Sequence, residues 1–323
     1  MQDNTRTISM SQFEQEVYSG LTASPKYLSS KYFYDEKGDK IFQDIMAMPE
    51  YYLTNCEYDI FENHKSDIIK LFTQESKSFN LIELGAGDGK KTKILLKHLT
   101  ASHIDFKYLP IDISQNALDQ LEKSLQIEMP TLQTETLQGT YLETLERINS
   151  LRDTKKVILF LGSNVGNLMH QQAVSFLQQV QESMKEDDLF FVGFDQKKHP
   201  QTILDAYNDK SGITEAFNKN ILIRINKELK ANFIPDKFLH WETYDPETGT
   251  AKSFLVSKEE QLVNLQDLDL TVSFKQWESI HTEISQKYDD EIVSWLADRS
   301  GLKIVAQFSD HKKYYKNYAF KKI

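Results

Sequence analysis

The sequence of 323 residues is poor in several residue types, and each shortage excludes a class of protein. Cys56 is the only cysteine, which excludes an internal disulfide framework and a cysteine-cluster zinc site and makes a reducing cytoplasm the expected location. The 12 glycines and 7 prolines are too few for a long flexible linker or a fibrous repeat. No run approaches the roughly 18 apolar residues of a membrane span, and the amino-terminal segment lacks the apolar core of a secretion signal.

Positive charge is also in deficit, with 38 Lys and Arg against 48 Asp and Glu and a net charge of −10. Nucleic acid and anionic membranes both require a positive surface, so we expect neither as a partner. Apolar residues make up 40% and charged residues 27%, a composition that buries a core. The length allows one large or two modest domains.

The middle of the chain alternates short apolar runs with segments whose apolar residues recur at helical spacing. The helical segments lie at 90–99, after Ser114 as a cap, and at 173–184. Five strands are predicted, at Phe79–Leu84, Phe106–Ile111, Leu132–Leu137, Val157–Leu161 and Leu189–Phe194. Strands separated by helices form right-handed βαβ units, so the sequence predicts a doubly wound α/β fold with a parallel sheet.

The carboxyl-terminal segment breaks this alternation. A helix is predicted at Asp289–Arg299, and it ends before Gly301 as a helix with a glycine after its last turn does. Leu302–Phe308 and Tyr314–Phe320 follow with only a short polar connection between them. This arrangement predicts an antiparallel strand pair at the edge of the sheet.

One long segment, 197–287, does not fit the sheet. It contains a predicted helix at Ile213–Leu229, a hairpin around the Asp-Pro-Glu-Thr-Gly sequence at 245–249, and a strand at Leu270–Phe274. Because the alternation resumes after residue 287, we interpret the segment as an insertion.

The insertion divides the chain into two predicted domains. Residues 57–196 and 288–323 form the cofactor-binding domain, and residues 1–56 and 197–287 form an α+β substrate-binding domain. We expect the second domain to cover the carboxyl edge of the sheet, where open α/β sheets bind their ligands.

The sharpest local motif is Gly-Ala-Gly-Asp-Gly at residues 85–89, where the first strand meets a helix. A dinucleotide fingerprint requires G-x-G-x-x-G, but position 90 is Lys. Glu83 before the first glycine is more typical of S-adenosylmethionine binders, and Asp112 at the end of the next strand can accept both ribose hydroxyls. The spacing favours S-adenosylmethionine over NAD, while a tight turn beside a surface acid is the plainer alternative.

A second motif, Gly-Ser-Asn-Val-Gly-Asn at 162–167, follows the fourth strand. In methyltransferases of this fold the acceptor meets the sulfonium at this point. Asn167 offers hydrogen-bond donors and an acceptor to a small polar substrate there, although a lone Asn in a turn is more often a cap.

Several motifs, in the same order over most of the chain, resemble those of the ergothioneine-pathway histidine Nα-methyltransferases. They are Pro25-Lys26 with Lys31-Tyr32-Phe33-Tyr34-Asp35, Met48-Pro49-Glu50-Tyr51-Tyr52, Glu83-Leu84-Gly85-Ala86-Gly87, Phe160-Leu161-Gly162-Ser163 with Gly166-Asn167-Leu168, Ala206-Tyr207-Asn208-Asp209 with Gly212-Ile213-Thr214, Ala216-Phe217-Asn218, and Glu283-Ile284-Ser285.

The resemblance implies a Rossmann-like class I methyltransferase fold with a second, substrate-binding domain. It implies up to three methyl transfers from S-adenosylmethionine to the α-amino group of L-histidine, giving hercynine and S-adenosylhomocysteine. The expected partner is a small amino acid, and the expected state is a monomer. No metal is expected, because the eight histidines show no paired-ligand spacing.

The resemblance also implies residue roles. Asn167 and Tyr207 are expected to hold the substrate carboxylate, and Tyr34 and Gly162 are expected to lie beside the reacting amine. Tyr51, Glu283 and Ser285 are the expected imidazole contacts. The cofactor contacts are expected to be Glu83, Gly85, Gly87, Lys91, Asp112, Thr140 and Tyr141.

The sequence departs from the family pattern at two positions. Thr140-Tyr141 stands where family members often carry Asp-Phe, and Ser253 stands where a Met is expected. Two alternatives therefore stay open at this point. One is Nα-methylation of another amino acid, for example one with an indole side chain. The other is a non-catalytic binding protein on the same scaffold.

Overall fold

A computed structural model describes residues 10–76, 78–141, 143, 144, 148 and 154–323. The start of the predicted substrate domain, residues 1–9, lies outside this part of the chain. The chain forms two compact units. The smaller comprises the described residues within Met1–Ile45, Tyr207–Thr243 and Lys252–Glu283, and the larger comprises those within Met46–Ala206, Tyr244–Ala251 and Ile284–Ile323.

The described residues contain α-helices and β-strands throughout both units. The helices are α1 (Gln12–Thr22), α2 (Glu36–Ala47), α3 (Tyr52–Phe72), α4 (Thr92–Ala101), α5 (Gln115–Glu128), α6 (His170–Ser183), α7 (Pro200–Tyr207), α8 (Ile213–Leu229) and α9 (Asp290–Arg299). The strands are β1 (Lys26–Tyr27), β2 (Ser78–Leu84), β3 (Asp105–Asp112), β4 (Gln133–Thr134), β5 (Leu137–Gln138), β6 (Lys155–Phe160), β7 (Leu189–Asp195), β8 (Phe238–Asp245), β9 (Thr250–Ser257), β10 (Gln261–Leu265), β11 (Leu270–Phe274), β12 (Ser279–Gln286), β13 (Leu302–Ser309) and β14 (Tyr315–Lys322). None of these helices is long and apolar enough to cross a membrane.

The larger unit is built on an eight-stranded sheet in the order β13-β14-β7-β6-β2-β3-β4, with β5 also pairing with β3. Strands β7, β6, β2 and β3 run parallel, while β14 pairs antiparallel with both β7 and β13. The predicted doubly wound sheet and its antiparallel carboxyl-terminal pair are confirmed. The chain leaves β2 towards β3 on one side and later adds β6 and β7 on the other, so the strand order reverses at β2.

The third predicted strand differs from the prediction. Leu132–Leu137 was expected as one strand, but β4 and β5 each contain two residues. Between them, the Glu135 N–H still donates to the Tyr108 carbonyl at 3.0 Å. The polar sequence supplies few side chains for burial there, and the ladder is therefore interrupted.

Helices cover both faces of the large sheet. Successive side chains of β7 point to opposite faces, and those on both faces are apolar and pack against helices. Phe190 and Phe194 join the core formed with α6 and α9. Phe191 on the other face contacts Phe61 and Phe72 of α3, with ring centroids 6.3 and 5.6 Å apart. The interior strands are consequently buried on both faces, as their continuous apolar runs predict.

The predicted helix ends are also confirmed. Ser114 caps α5 by accepting the N–H of Ala117, and Asp289 caps α9 by accepting the N–H of Ile292. Gly301 follows α9 with φ +67°, the left-handed conformation that favours glycine.

A second sheet has the order β1-β12-β9-β8. Strands β8 and β9 form the predicted hairpin, whose turn is closed by the Gly249 N–H donating to the Asp245 carbonyl at 2.8 Å. Helix α8 and strand β11 have the bounds predicted from sequence, and β11 pairs antiparallel with β10.

We expect Asp188→Asn to lower the free energy of unfolding by about 3 kcal/mol, because the change breaks a buried ion pair. The fully buried Asp188 lies 3.0 Å from Lys156 Nζ and also accepts the backbone N–H groups of Lys156 and Lys185. Urea unfolding would measure the loss. Glu186→Gln, a change at a neighbouring exposed acid, serves as the control and should alter stability by less than about 0.5 kcal/mol. Equal stabilities of the two variants would contradict the prediction.

Candidate active site

The glycine motif forms a tight turn at the carboxyl end of β2. Gly85 and Gly87 have φ values of +77° and +54°, which disfavour any other residue. The N–H groups of Gly85 and Ala86 both donate to the Ile111 carbonyl, at 2.8 and 3.0 Å, and tie the turn to β3. A Cβ added to Gly87 would meet no atom within 4 Å. Space beside the turn therefore remains open for a ligand.

Asp112 is held beside this turn by two backbone groups. Its Oδ2 accepts the Gly87 N–H at 2.9 Å, and its Oδ1 accepts the Ser114 N–H at 2.9 Å. Each carboxylate oxygen has a second lone pair, so the group can also accept hydroxyls of a ligand. The turn and Asp112 thus suit the ribose and the adjoining part of a nucleoside such as S-adenosylmethionine.

Glu83 is buried just before the turn. Its Oε1 accepts the Thr92 hydroxyl at 2.6 Å, and its Oε2 accepts the Tyr108 hydroxyl. Burial raises the pKa of Glu83 to about 7, against the opposing effect of these two hydrogen bonds. In the structure both oxygens bind protein hydroxyls, and a contact of Glu83 with the cofactor stays a prediction.

Tyr141 and Asn164 lie against the glycine turn. A Cβ added to Gly85 would lie 2.9 Å from Tyr141 Oη and 2.7 Å from Asn164 Nδ2. The Tyr141 ring packs edge-on against Phe160 at 5.0 Å between centroids, which fixes its position. The structure therefore brings Gly85, Asp112 and Tyr141 together, and it adds Asn164, which was not among the predicted site residues.

Thr140 directly precedes the helical residues Tyr141, Glu143 and Thr144. Its backbone N–H and its hydroxyl both donate to Glu143 Oε2, at 2.9 and 2.8 Å. The side chain is thus engaged in a local helix cap. Its expected contact with the cofactor is a prediction that these distances do not address.

Lys91 and Gly162 converge on a buried acid that sequence reasoning missed. Glu57 of α3 accepts Lys91 Nζ at 2.5 Å and the Gly162 N–H at 2.8 Å, both through Oε2. Its Oε1 accepts Asn317 Nδ2 at 2.8 Å. The sequence contained an indication of this acid, because Glu57 falls on the otherwise apolar face of α3.

The loop after β6 carries the second motif. Gly162 and Ser163 have φ values of +69° and +59°, and a 3-10 helix then spans Asn164–Asn167. Ser163 Oγ accepts the Asp195 N–H at 3.1 Å and anchors the loop to β7. Asn167 ends this helix with an exposed side chain, which leaves its amide accessible to a ligand.

Ser285 belongs to a buried polar network in the same unit. Its Oγ accepts Lys287 Nζ at 2.7 Å, and Lys287 Nζ also lies 2.9 Å from Asp195 Oδ2. Burial opposes ionisation of Asp195, but Lys198 and Lys287 outweigh it and hold the pKa of Asp195 below its ordinary value. The Tyr52 hydroxyl donates to the same carboxylate at 2.8 Å.

Tyr51, the residue before Tyr52, is buried and occupies the amino-terminal cap position of α3. Its backbone N–H donates to the Met48 carbonyl at 3.2 Å. Its assignment as an imidazole contact stays a prediction.

Three other predicted site residues belong to the smaller unit. The Tyr34 ring packs edge-on against Phe42 and Phe217, with both centroid distances 5.5 Å. The Tyr207 carbonyl is 2.9 Å from His240 Nε2. Glu283 is half-buried on β12. Their roles towards a substrate stay predictions.

Within the described part of the chain, no group of three or more His, Cys, Asp or Glu side chains is arranged to hold a metal ion. The polar groups around the turn are instead hydrogen-bond acceptors and donors suited to an organic ligand. The parallel sheet, its antiparallel β14, the glycine turn at the point of strand reversal and the fixed acid at the end of β3 are together typical of class I S-adenosylmethionine-dependent methyltransferases.

Comparison with known proteins identifies the family. The chain belongs to the S-adenosylmethionine-dependent histidine-specific methyltransferases, whose family model it matches over residues 13–322. It is 31% identical over 297 residues to the histidine N-alpha-methyltransferase of Mycolicibacterium smegmatis, covering 92% of this chain and 90% of that protein. It is 28% identical over 306 residues to ergothioneine biosynthesis protein 1 of Schizosaccharomyces pombe, covering 91% of this chain but 39% of that protein.

A solved structure agrees with the fold. The mitomycin 7-O-methyltransferase MmcR superposes with a TM-score of 0.51 at 12% identity, covering 97% of this chain and 69% of that one. At this identity the likeness shows the fold alone. The predicted class I methyltransferase fold and the predicted family are both confirmed.

We expect Glu83→Gln to remove a pH-dependent loss of stability. The folded carboxyl retains its proton up to about pH 7, whereas the unfolded one releases it near its ordinary value of 4.5. The free energy of unfolding of the native sequence should therefore fall across this window, by at most about 3 kcal/mol, and the glutamine variant should lack that fall. Urea unfolding of the protein without ligand between about pH 5 and pH 8 measures the difference. Parallel pH curves for the two proteins would contradict the raised pKa, and Glu186→Gln should follow the native curve.

Proposed function

We propose that this chain transfers methyl groups from S-adenosylmethionine to the α-amino nitrogen of L-histidine, up to three times, giving hercynine for ergothioneine biosynthesis. The observation that carries the proposal is the match to the histidine-specific family over residues 13–322. The glycine turn and Asp112 support it independently, because they suit the nucleoside part of the cofactor.

The residues that would hold the cofactor lie around the turn after β2. We assign Gly85 and Gly87 to close backbone approach, Asp112 to the ribose hydroxyls, and Thr140 and Tyr141 to the adenine end. Glu83 and Lys91 complete the proposed set beside the turn. When bound, S-adenosylmethionine supplies an electrophilic methyl group on a sulfonium, which is an activated leaving group, and we therefore propose that no metal takes part.

The protein's main task is then to present a deprotonated amine in line with that methyl group. A free α-amine is largely protonated at neutral pH, and a neighbouring cation lowers its pKa. We assign Tyr34 and Gly162 to the surroundings of this amine, with Tyr34 as a hydrogen-bonding partner during proton loss. A tyrosine ring also stabilises the ammonium products by cation–π attraction, which is worth about 0.5–2 kcal/mol.

Histidine itself is recognised at its two polar ends. We assign its carboxylate to Asn167 and Tyr207, since an amide and a phenol both donate to an anion. We assign its imidazole to Tyr51, Glu283 and Ser285, with Glu283 accepting a ring N–H. In this proposal residues 57–196 and 288–323 bind the cofactor, and residues 1–56 and 197–287 contribute to substrate binding. A monomeric state and a cytoplasmic location stay predictions from the sequence.

The reaction can be tested with a mixture of the twenty amino acids incubated with the enzyme and S-adenosylmethionine. Mass spectrometry should show mono-, di- and trimethylated histidine, together with S-adenosylhomocysteine. Methylated tryptophan without methylated histidine would establish a different substrate. Cofactor binding without release of S-adenosylhomocysteine would indicate a non-catalytic binding protein. Either outcome contradicts the proposal.

We expect Glu283→Ala to weaken histidine binding by more than about 10-fold, because it leaves an imidazole N–H without its acceptor. Isothermal titration calorimetry with histidine would measure the change. Glu283→Gln retains an acceptor oxygen and should lose less affinity. Glu260→Ala removes an exposed acid in the same unit and should bind histidine as the native protein does. Unchanged histidine affinity in Glu283→Ala would remove Glu283 from the site.

A further inference from the structure

Glu57 is a fully buried acid whose surroundings are built around its carboxylate. Three hydrogen-bond donors converge on it: Lys91 Nζ at 2.5 Å, the Gly162 N–H at 2.8 Å and Asn317 Nδ2 at 2.8 Å. A buried carboxylate costs several kcal/mol unless it is paired and hydrogen-bonded, and this one is both. Lys91 Nζ and the Gly162 N–H can only donate, so Oε2 must accept at both contacts, while the Asn317 amide presents its donor to Oε1.

The backbone of β7 makes room for this carboxylate. Gly193 lies inside the strand, where glycine is otherwise unfavourable. A Cβ added there would lie 2.4 Å from Glu57 Oε1 and 2.1 Å from Tyr315 Oη, both far inside van der Waals contact. The space that holds the carboxylate therefore depends on a residue without a side chain.

The two donors to Oε2 come from two different loops at the same edge of the sheet. Lys91 follows the glycine turn and directly precedes α4. Gly162 lies two positions after β6, in the loop that carries the second motif. Strands β2 and β6 are parallel neighbours, with Glu83 opposite Leu159, so both loops leave the sheet side by side. One oxygen atom of Glu57 links them.

We propose that Glu57 is a positioning residue for methyl transfer. Its carboxylate fixes the loop of Lys91, beside the cofactor, relative to the loop of Gly162, beside the acceptor amine. This inference rests on the function proposed above for Lys91 and Gly162. An in-line displacement is sensitive to alignment, and a misplacement of about 1 Å costs up to about 100-fold in rate. Removing the shared acceptor should therefore lower kcat more than it raises either KM.

The test begins with Glu57→Gln in the full chain, assayed for kcat and for KM towards histidine and S-adenosylmethionine. Glutamine keeps the volume, but it replaces the carboxylate that pairs with Lys91 by a neutral amide, and its NH₂ group requires the Asn317 amide to turn over and present Oδ1. We expect kcat to fall by at least about 10-fold with changes in KM below about threefold. Asp188→Asn is the matched control, because it makes the same chemical change in a buried ion pair that involves Lys156, at the start of β6. That variant should keep kcat within about twofold of the native value.

A compensating double variant, Glu57→Gln with Asn317→Asp, separates positioning from simple loss of stability. It exchanges carboxylate and amide between two contacting residues, so the introduced glutamine donates to the new carboxylate and still offers its oxygen to Lys91 and Gly162. We expect it to recover kcat to within about threefold of the native value, whether or not the single variant folds.

Two results would overturn the inference. The first is a folded Glu57→Gln enzyme with native kcat. The second is a folded double variant that is as slow as Glu57→Gln; if the single variant does not fold, the corresponding result is a double variant with kcat more than about tenfold below the native value. Failure of the proposed function looks different, because the native enzyme itself would then form no methylated histidine.

Discussion

The pairing of β2 on both sides is the constraint on which the site depends. Parallel hydrogen bonding places β3 along one edge of this strand and β6 along the other, with Leu84 opposite Ile111 and Glu83 opposite Leu159. The turns that follow three separate stretches of sequence therefore leave the sheet together. The glycine turn, Asp112 and the Gly162 loop are neighbours in space for this reason.

Among the described residues of the larger unit, the buried acids Glu57, Asp188 and Asp195 each pair with at least one lysine from a distant part of the chain. Glu57 is paired with Lys91, and Asp195 is paired with Lys198 and Lys287. Such pairs stabilise little in net terms, since desolvation offsets most of the attraction. Their value lies in geometry, because an unpaired partner is so costly that the connected segments are held in one arrangement.

The sequence was most informative where the chemistry is local. Periodicity and caps placed α8, the Ser114 cap and the end of α9, since these depend on neighbours within a few residues. The glycine motif and Asp112 could be paired from sequence because the βαβ unit has a regular geometry. The network around Glu57 could not, because its donors lie just before α4, after β6 and in β14. Only the tertiary fold brings those segments together.

The net charge of −10 contributes little to cofactor binding by itself, because the positions and partners of individual acids matter more than their number. A cationic cofactor accords with an acidic protein, but three buried acids of the larger unit already bind groups of the protein. Glu57 and Asp195 are each paired with lysine, and Glu83 is only about half ionised near pH 7 because burial raises its pKa to about 7. Asp112 is different, since its carboxylate accepts the backbone N–H groups of Gly87 and Ser114 and is thereby fixed beside the glycine turn. In the proposed site, recognition of the cofactor therefore depends on one oriented acid and the shape of the turn, while the total charge has at most a weak, salt-screened effect.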